Sequence, residues 1–192
     1  MTNSEFYLGA YKKYGLSPKG LNWNSLATQE IRFEIITKFL EDKIDDFIIG
    51  DAGCGFGDFL KYWQIKHLEP KEYVGIDCEE TFVEICQRRF PSNCFVCRDI
   101  LQDRLPQVDW YVASGSLNIL SDFETWLFLE NMLNSATKGV VFNILCGTKR
   151  GNIFNYKTKD DMMNFAKKKS LKIEIVDDYL KNDMTIRLQK RI

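Results

Sequence analysis

The apolar residues of this chain change period repeatedly, and each change marks an element. Ile31, Ile35, Ile36, Phe39 and Leu40 recur at helical spacing and predict a helix over residues 28–43. Residues 47–52 form a short apolar run ending at glycines, which predicts a buried strand. Phe56, Leu60 and Trp63 return to helical spacing, and residues 72–77 read as a second strand. Phe82, Ile85, Cys86 and Phe90 give a helix that stops at Pro91. Third and fourth strands fall at residues 94–97 and 108–113. Ser121 with Glu124 has the spacing of a capping box opening another helix. Residues 139–145 predict a fifth strand, and Thr158 with Asp161 opens a helix carrying Met162, Phe165 and Ala166. Residues 171–176 and 184–188 close the chain as two strands.

Strand–helix alternation of this kind predicts a parallel sheet with helices on both faces. The last two strands lie too close in sequence for a crossover helix, so the final one should run antiparallel. The expected fold is α/β: a three-layer α/β/α Rossmann-like sandwich with a mostly parallel seven-stranded sheet. Residues 1–192 read as a single domain, with an N-terminal helical cap or lid over 1–45 and a core over 46–192. Within the cap, residues 14–21 are rich in Pro and Gly and read as a loop.

Right-handed crossovers bring the loops after each strand to one edge, where ligands bind. Four features fall on that edge. Asp51-Ala52-Gly53-Cys54-Gly55-Phe56-Gly57 follows the first strand and opens a helix. Asp77 ends the second strand and is followed by Cys78, Asp99-Ile100 follows the third, and Ser114-Gly115-Ser116 follows the fourth. Glycines allow a sharp turn and close approach of a ligand to the backbone. An acid after the second strand can accept hydrogen bonds from both hydroxyls of a ribose, at about 1.5–3 kcal/mol for each charged bond. Asp99 can accept from an adenine amino group. Asp51, or a backbone carbonyl of the fourth strand, can receive an ammonium group. A nicotinamide dinucleotide would use the same sheet, but its fingerprint puts the third glycine three positions after the second. Here the glycines fall at 53, 55 and 57, and Asp58 would sit badly beside a pyrophosphate. S-adenosylmethionine has no phosphate and escapes that objection.

Composition narrows the class without choosing it. Hydrophobic residues make up 45% of the chain and aromatic residues 14%, enough for a core without disulfide staples. With 26 basic and 27 acidic side chains, the formal net charge of -1 gives no global attraction to nucleic acid or an anionic membrane. The first residues are polar and acidic, unlike a signal peptide, and no apolar run approaches the ~20 residues of a membrane span. A cytoplasmic location is expected, and the six cysteines should be thiols there. Cys94 and Cys97 have redox or zinc spacing but fall on a predicted strand, with no second pair to complete a site.

The segment from Asp51 to Gly57 resembles motif I of the class I S-adenosylmethionine-dependent methyltransferases. Asp77 matches their ribose-binding acid, and Arg98-Asp99-Ile100 their adenine-side motif. Together these motifs cover residues 47–120. Upstream, Gly20-Leu21-Asn22-Trp23-Asn24-Ser25 and Gln29-Glu30-Ile31-Arg32-Phe33 resemble a subgroup of small bacterial methyltransferases, whose substrates are mostly unassigned. Phe142-Asn143, and the stretch from Asp178-Tyr179 to Met184-Thr185, look like that subgroup too. The resemblance implies that Trp23 and Arg32 border the methionyl end of the donor, with Arg32 pairing with its carboxylate. It implies a cofactor set at Trp23, Arg32, Asp51, Ala52, Gly53, Cys54, Gly55, Asp77, Cys78, Asp99, Ile100, Ser114 and Gly115. The Asn/Asp-Pro-Pro-Tyr/Phe motif of base and glutamine N-methyltransferases is absent, with Ser114-Gly115-Ser116-Leu117-Asn118 in its place. That lowers the expectation of DNA methylation. No catechol-type carboxylate cluster for a divalent metal is visible, and no metal is expected.

The catalytic residues stay open. Tyr7 and Tyr14 precede the donor-binding motifs and could position an acceptor, as could Tyr11, or all could simply pack. Asn118 lies just past the fourth strand, near where a methyl group would emerge, or is a turn residue. His67, the single histidine, sits near a helix end away from the ligand edge and reads as a surface residue. Lys167-Lys168-Lys169 reads as the solvated side of a helix, and Lys149-Arg150-Gly151 as an exposed loop or a contact for an anionic acceptor. The chain is expected to transfer a methyl group from S-adenosyl-L-methionine to a small-molecule acceptor, releasing S-adenosyl-L-homocysteine, as a monomer or homodimer with no membrane and no nucleic-acid partner. The alternatives are an RNA methyltransferase and a non-catalytic donor-binding subunit.

Overall fold

The computed structural model describes residues 3–148 and 153–191. The loop Lys149-Arg150-Gly151 therefore lies outside the described residues. The strands are β1 (Ile48–Ala52), β2 (Glu72–Asp77), β3 (Cys94–Cys97), β4 (Val108–Ala113), β5 (Ala136–Cys146), β6 (Tyr156–Lys157), β7 (Lys172–Val176) and β8 (Asp183–Gln189). They form one sheet in the order β3-β2-β1-β4-β5-β8-β7, with β6 pairing to β5 off this path. Every pairing among β1 to β6 is parallel, and β8 runs antiparallel to both β5 and β7. The expected seven-stranded path is thus present, and the two-residue β6 is too short to carry a periodic signal. The chain lays down β2 and β3 on one side of β1, and β4 and β5 on the other. The carboxyl ends of β1 and β4 therefore flank the point where strand order reverses.

The helices are α1 (Asn3–Tyr14), α2 (Leu26–Lys38), α3 (Asp58–Ile65), α4 (Glu80–Arg89), α5 (Asp122–Ser135) and α6 (Lys159–Lys168). α5 and α6 cover one sheet face, packing Phe128, Met132, Met162 and Phe165 on Tyr111, Phe142 and Ile186. α2, α3 and α4 cover the other, packing Phe33, Phe59, Trp63 and Cys86 on Ile49, Tyr73 and Trp110. Each large apolar side chain removed from water in this way contributes about 1.5–3 kcal/mol. The expected capping boxes are made: Ser121 with Glu124 starts α5, and Thr158 with Asp161 starts α6. No helix among the described residues is long and apolar enough to cross a membrane.

α2 differs from the expectation in length and in face. Ser25 caps it through the Thr28 amide, and it ends at Lys38, where residues 41–46 continue as a 3-10 helix. Its buried face is Gln29, Phe33, Ile36 and Thr37, with Leu40 beyond, whereas Ile31, Ile35 and Phe39 are only half-buried. Two polar residues in the core explain the shift. The Thr37 hydroxyl donates to the Phe33 carbonyl at 2.6 Å and accepts from Trp63 Nε1 at 2.8 Å, so an apolar count misses it.

α2 is tied to the last strand by a buried ion pair. Arg32 Nε donates to Asp183 Oδ2 at 2.7 Å, Nη2 donates to the same oxygen, and Nη1 donates to the Thr28 carbonyl at 3.0 Å. Tyr179 donates to the other Asp183 oxygen at 2.7 Å. The Asp183 side chain is 2% exposed and that of Arg32 12%. Removing one partner of such a pair leaves a buried charge unmatched. Asp183→Ala is expected to cost about 3–5 kcal/mol in unfolding free energy. Urea denaturation checks this, and a loss below about 1 kcal/mol would place the pair among weak surface contacts.

Candidate active site

Three loops at the carboxyl edge of the sheet are held to one another by hydrogen bonds. After β1 the chain turns through Gly53 (φ +80°) and Gly55 (φ +55°), both in the left-handed region. A Cβ on Gly53 would lie 2.6 Å from the Ser116 Cβ, and one on Gly55 would lie 2.7 Å from Leu21 Cδ1, so side chains are excluded at both. The Gly53 and Cys54 amides donate to the Ile76 carbonyl at 2.8 and 3.0 Å. The Gly55 amide donates to Asp77 Oδ2 at 2.9 Å, while Asp77 Oδ1 accepts from the Glu79 amide at 3.0 Å. Asp77 therefore joins the β1 loop to the β2 loop.

The loop after β4 is set from beneath by Asn143, a fully buried residue of β5. Asn143 Oδ1 accepts from the Gly115 amide at 2.9 Å, and its Nδ2 donates to Ser114 Oγ at 3.0 Å. Ser116 Oγ donates to the Ala52 carbonyl at 2.9 Å, joining this loop to β1. After β3, Asp99 accepts from the Leu101 amide at 2.9 Å and from Gln102 Nε2 at 2.6 Å. A polar residue inside the apolar run 139–145 was the available signal for Asn143, since a buried amide must find partners.

Between the loops lies a cavity of about 150 Å³. Trp23, Gly53, Gly55, Asp77, Cys78, Asp99, Ile100, Ser114 and Gly115 all line it, as do Tyr7 and Asn118. The N-terminal segment contributes Phe6, Tyr7, Leu21, Asn22 and Trp23. Trp23 lies so close to Gly115 that a Cβ there would be 2.8 Å from the indole. A smaller offshoot of about 30 Å³ shares Leu21, Trp23, Gly53 and Ser114 with the main cavity and reaches Asp51 and Cys54.

Tyr11, which packs on Phe56 and Phe82, and three of the expected site residues line neither space. Ala52 is buried beneath the β1 loop, where its carbonyl serves Ser116. Tyr14 is 44% exposed at the end of α1, under Lys13. Arg32 spends its guanidinium on Asp183 and Thr28 and stacks over Trp23 at 5.0 Å. Asn118 is also partly committed: its Oδ1 accepts from the Leu145 amide at 3.2 Å. His67 is exposed at the end of α3, in neither lining. Phe6, on α1, and Ile119 and Phe154, in loops or turns, line the main cavity without a sequence signal, because isolated apolar residues carry no period that marks a site.

The family profile described as a methyltransferase domain matches residues 49–139, the span that contains all three loops. A Mycobacterium tuberculosis protein with a provisional methyltransferase name, Rv1506c, is 29% identical over 161 residues, covering 76% of this chain and 95% of its own. The chain is thus similar to methyltransferases through the domain that carries its three loops. Solved structures agree in fold. A S-adenosylmethionine-dependent methyltransferase of Leishmania major matches at a TM-score of 0.74 with 12% identity, over 96% of this chain and 82% of its own. The magnesium protoporphyrin IX methyltransferase of Synechocystis, with bound S-adenosylhomocysteine, matches at 0.69 with 13% identity, over 86% and 84%. The amino pentose methyltransferase CalS10 of Micromonospora echinaspora matches at 0.67 with 12% identity, over 96% and 97%.

The protein keeps two carboxyl groups out of water beside this cavity. Asp51 is 2% exposed and Asp77 8%. Burial pushes Asp51 up to about 7, against the hydrogen bond from Tyr73, whose hydroxyl lies 2.5 Å away. Burial pushes Asp77 up to about 6, against the Glu79 and Gly55 amides. Burial also drives the Tyr7 phenol upward, helped by the charge of Asp77.

A carboxyl group whose folded pKa exceeds its unfolded value binds more protons when folded. Its stabilising contribution is complete below the unfolded pKa, near 4, and is lost as pH rises through 6 to 7. Asp51→Asn keeps an acceptor for Tyr73 but cannot ionise. The stability difference between variant and wild type should therefore move in the variant's favour from pH 5 to pH 7.5. Urea midpoints at the two pH values measure it, and a constant difference would contradict the buried-acid assignment.

Proposed function

We propose that this methyltransferase transfers a methyl group from S-adenosylmethionine to a small-molecule acceptor, with the donor lying along the loops after β1, β2 and β4. The residues present suit that donor. Asp77 is placed to take the ribose hydroxyls on the lone pairs left by its two amide bonds, and Asp99 with Ile100 faces the adenine. Asp51 and the Ser114-Gly115 turn lie toward the methionyl end, beneath Trp23. The N-terminal segment then acts as the lid, with Tyr7 near the ribose. Bound donor supplies an electrophilic sulfonium methyl, so the protein's part is to bind, align and exclude water. Alignment of two reactants can contribute up to roughly 7–11 kcal/mol.

The observation that carries the small-molecule reading is the remaining wall of the cavity. Away from the loops assigned to the donor, it includes the neutral side chains of Phe6, Asn118, Ile119 and Phe154. Arg98 is the one cation among the described lining residues, and it donates to the Cys97 carbonyl at 2.8 Å. This wall suits a compact, largely apolar acceptor, and gives a polyanion little to hold. Two of the structural relatives are named for small acceptors, a porphyrin and an amino pentose. The test is incubation with methyl-labelled donor and a fractionated cell extract. Label is expected in the low-molecular-weight organic fraction, and label confined to RNA or protein would overturn the acceptor class.

Asp77 tests the donor's placement. Asp77→Ala is expected to weaken S-adenosylhomocysteine binding by about 2–4 kcal/mol, on the order of 30- to 1,000-fold. The burial of Asp77 and its two amide partners mean that Asp77→Ala also lowers the melting temperature. Asp77→Asn retains one acceptor oxygen and should lose less of both. Calorimetry and thermal unfolding on each variant measure this; a stability loss with unchanged affinity would remove Asp77 from the donor site.

A further inference from the structure

Gln29 is a polar residue on the buried face of α2. It lies in the first turn of α2, is 1% exposed, and lines the offshoot of the main cavity. Its Nε2 points at Asp58 Oδ2, 3.5 Å away, and Asp58 is held in turn by Arg89 Nη1 at 3.1 Å. That carboxylate fixes which way the amide faces, since turning it would set two oxygens against each other. Gln29 Oε1 is consequently left inside the protein with no hydrogen-bond partner among the described residues. A buried polar atom without a partner is costly, and such an exception calls for an absent partner.

The chemistry of the offshoot says what that partner is. Its polar side chains are dominated by acceptors: the Gln29 oxygen, and the Asp51 carboxylate, which already takes one hydroxyl proton bond from Tyr73. Phe33 and Phe59 close the apolar side. At about 30 Å³ the space admits one or two groups the size of water. An alkylammonium carries three N–H donors and no acceptor, and so matches acceptors of this kind. We infer that Gln29 Oε1 accepts a hydrogen bond from the α-ammonium of the methyl donor, and that the offshoot makes the free amino group a requirement for tight binding. The inference rests on the proposed placement of the donor. It gives Asp58 a positioning role, holding Gln29 through its amide nitrogen.

The test compares two ligands that share the adenosine. S-adenosylhomocysteine has the α-ammonium, and 5′-methylthioadenosine lacks the whole amino-acid tail. Calorimetry is run on wild type, Gln29→Met and Gln29→Leu, with melting temperatures of the free proteins. Both variants should bind S-adenosylhomocysteine about 10- to 100-fold more weakly, as for loss of one hydrogen bond to a charged group. Their affinity for 5′-methylthioadenosine should stay within about 3-fold of wild type, as expected when no polar partner is lost. Nitrogen-15 NMR on the wild-type chain gives a readout that needs no variant to fold. The Gln29 side-chain amide signals should shift with S-adenosylhomocysteine and barely move with 5′-methylthioadenosine. Equal weakening of both ligands, undiminished S-adenosylhomocysteine binding in the variants, or unmoved amide signals would overturn the role of Gln29. Wild-type protein that binds neither ligand would instead overturn the donor placement on which it rests.

Discussion

Asp77 accepts the amides of Gly55 and Glu79 at the carboxyl end of β2, and the geometry of the cavity depends on those two bonds. They fix the β1 loop against the β2 loop at the point where strand order reverses. Ser116 then ties the β4 loop to β1 through the Ala52 carbonyl, and Asn143 holds the same loop from below. The left-handed glycines fit this arrangement because a side chain at Gly53 or Gly55 would strike Ser116 or Leu21. The cavity is thus a product of loop-to-loop bonding on a rigid sheet, with the N-terminal segment laid across it.

Keeping two carboxyl groups in that apolar setting has an electrostatic consequence. Water is excluded from Asp51 and Asp77, so their ionised forms are disfavoured in the free protein. A ligand bringing a cation and hydroxyl donors restores what burial removed. The same reasoning separates Arg32 from the ligand: its charge is already matched by Asp183, deep between α2 and β8. The resemblance to small bacterial methyltransferases implies Arg32 at the donor carboxylate, whereas here its guanidinium is bonded to Asp183 and Thr28 and lies over the Trp23 ring.

The sheet was legible because its strands are short apolar runs at regular spacing, and β1, β2, β3 and β4 fall within a residue of the sequence reading. The capping boxes were legible because they are local. The motif residues were legible because the edge of a parallel sheet gathers them whatever their separation in sequence. What escaped was decided by long-range contact. The core face of α2 includes Thr37 and Gln29, whose burial depends on Trp63 and on the offshoot cavity, and no apolar count finds such residues. Tyr14 and Ala52 looked equivalent to Tyr7 and Gly53 in sequence, but one faces outward and the other lies beneath its own loop. The wall proposed for the acceptor was unreadable, since Phe6, Ile119 and Phe154 come from one helix and two separate loops or turns far apart in sequence.

The central claim is that the three loops form one donor site, with the ribose at Asp77 and the amino group in the Asp51 offshoot. A crystal structure of the protein with S-adenosylhomocysteine tests it most directly. The account predicts both ribose hydroxyls within hydrogen-bond distance of the Asp77 carboxylate, and the α-ammonium beside Asp51 beneath Trp23. A ligand bound with its ribose away from Asp77, or with its amino group turned out to solvent, would contradict it.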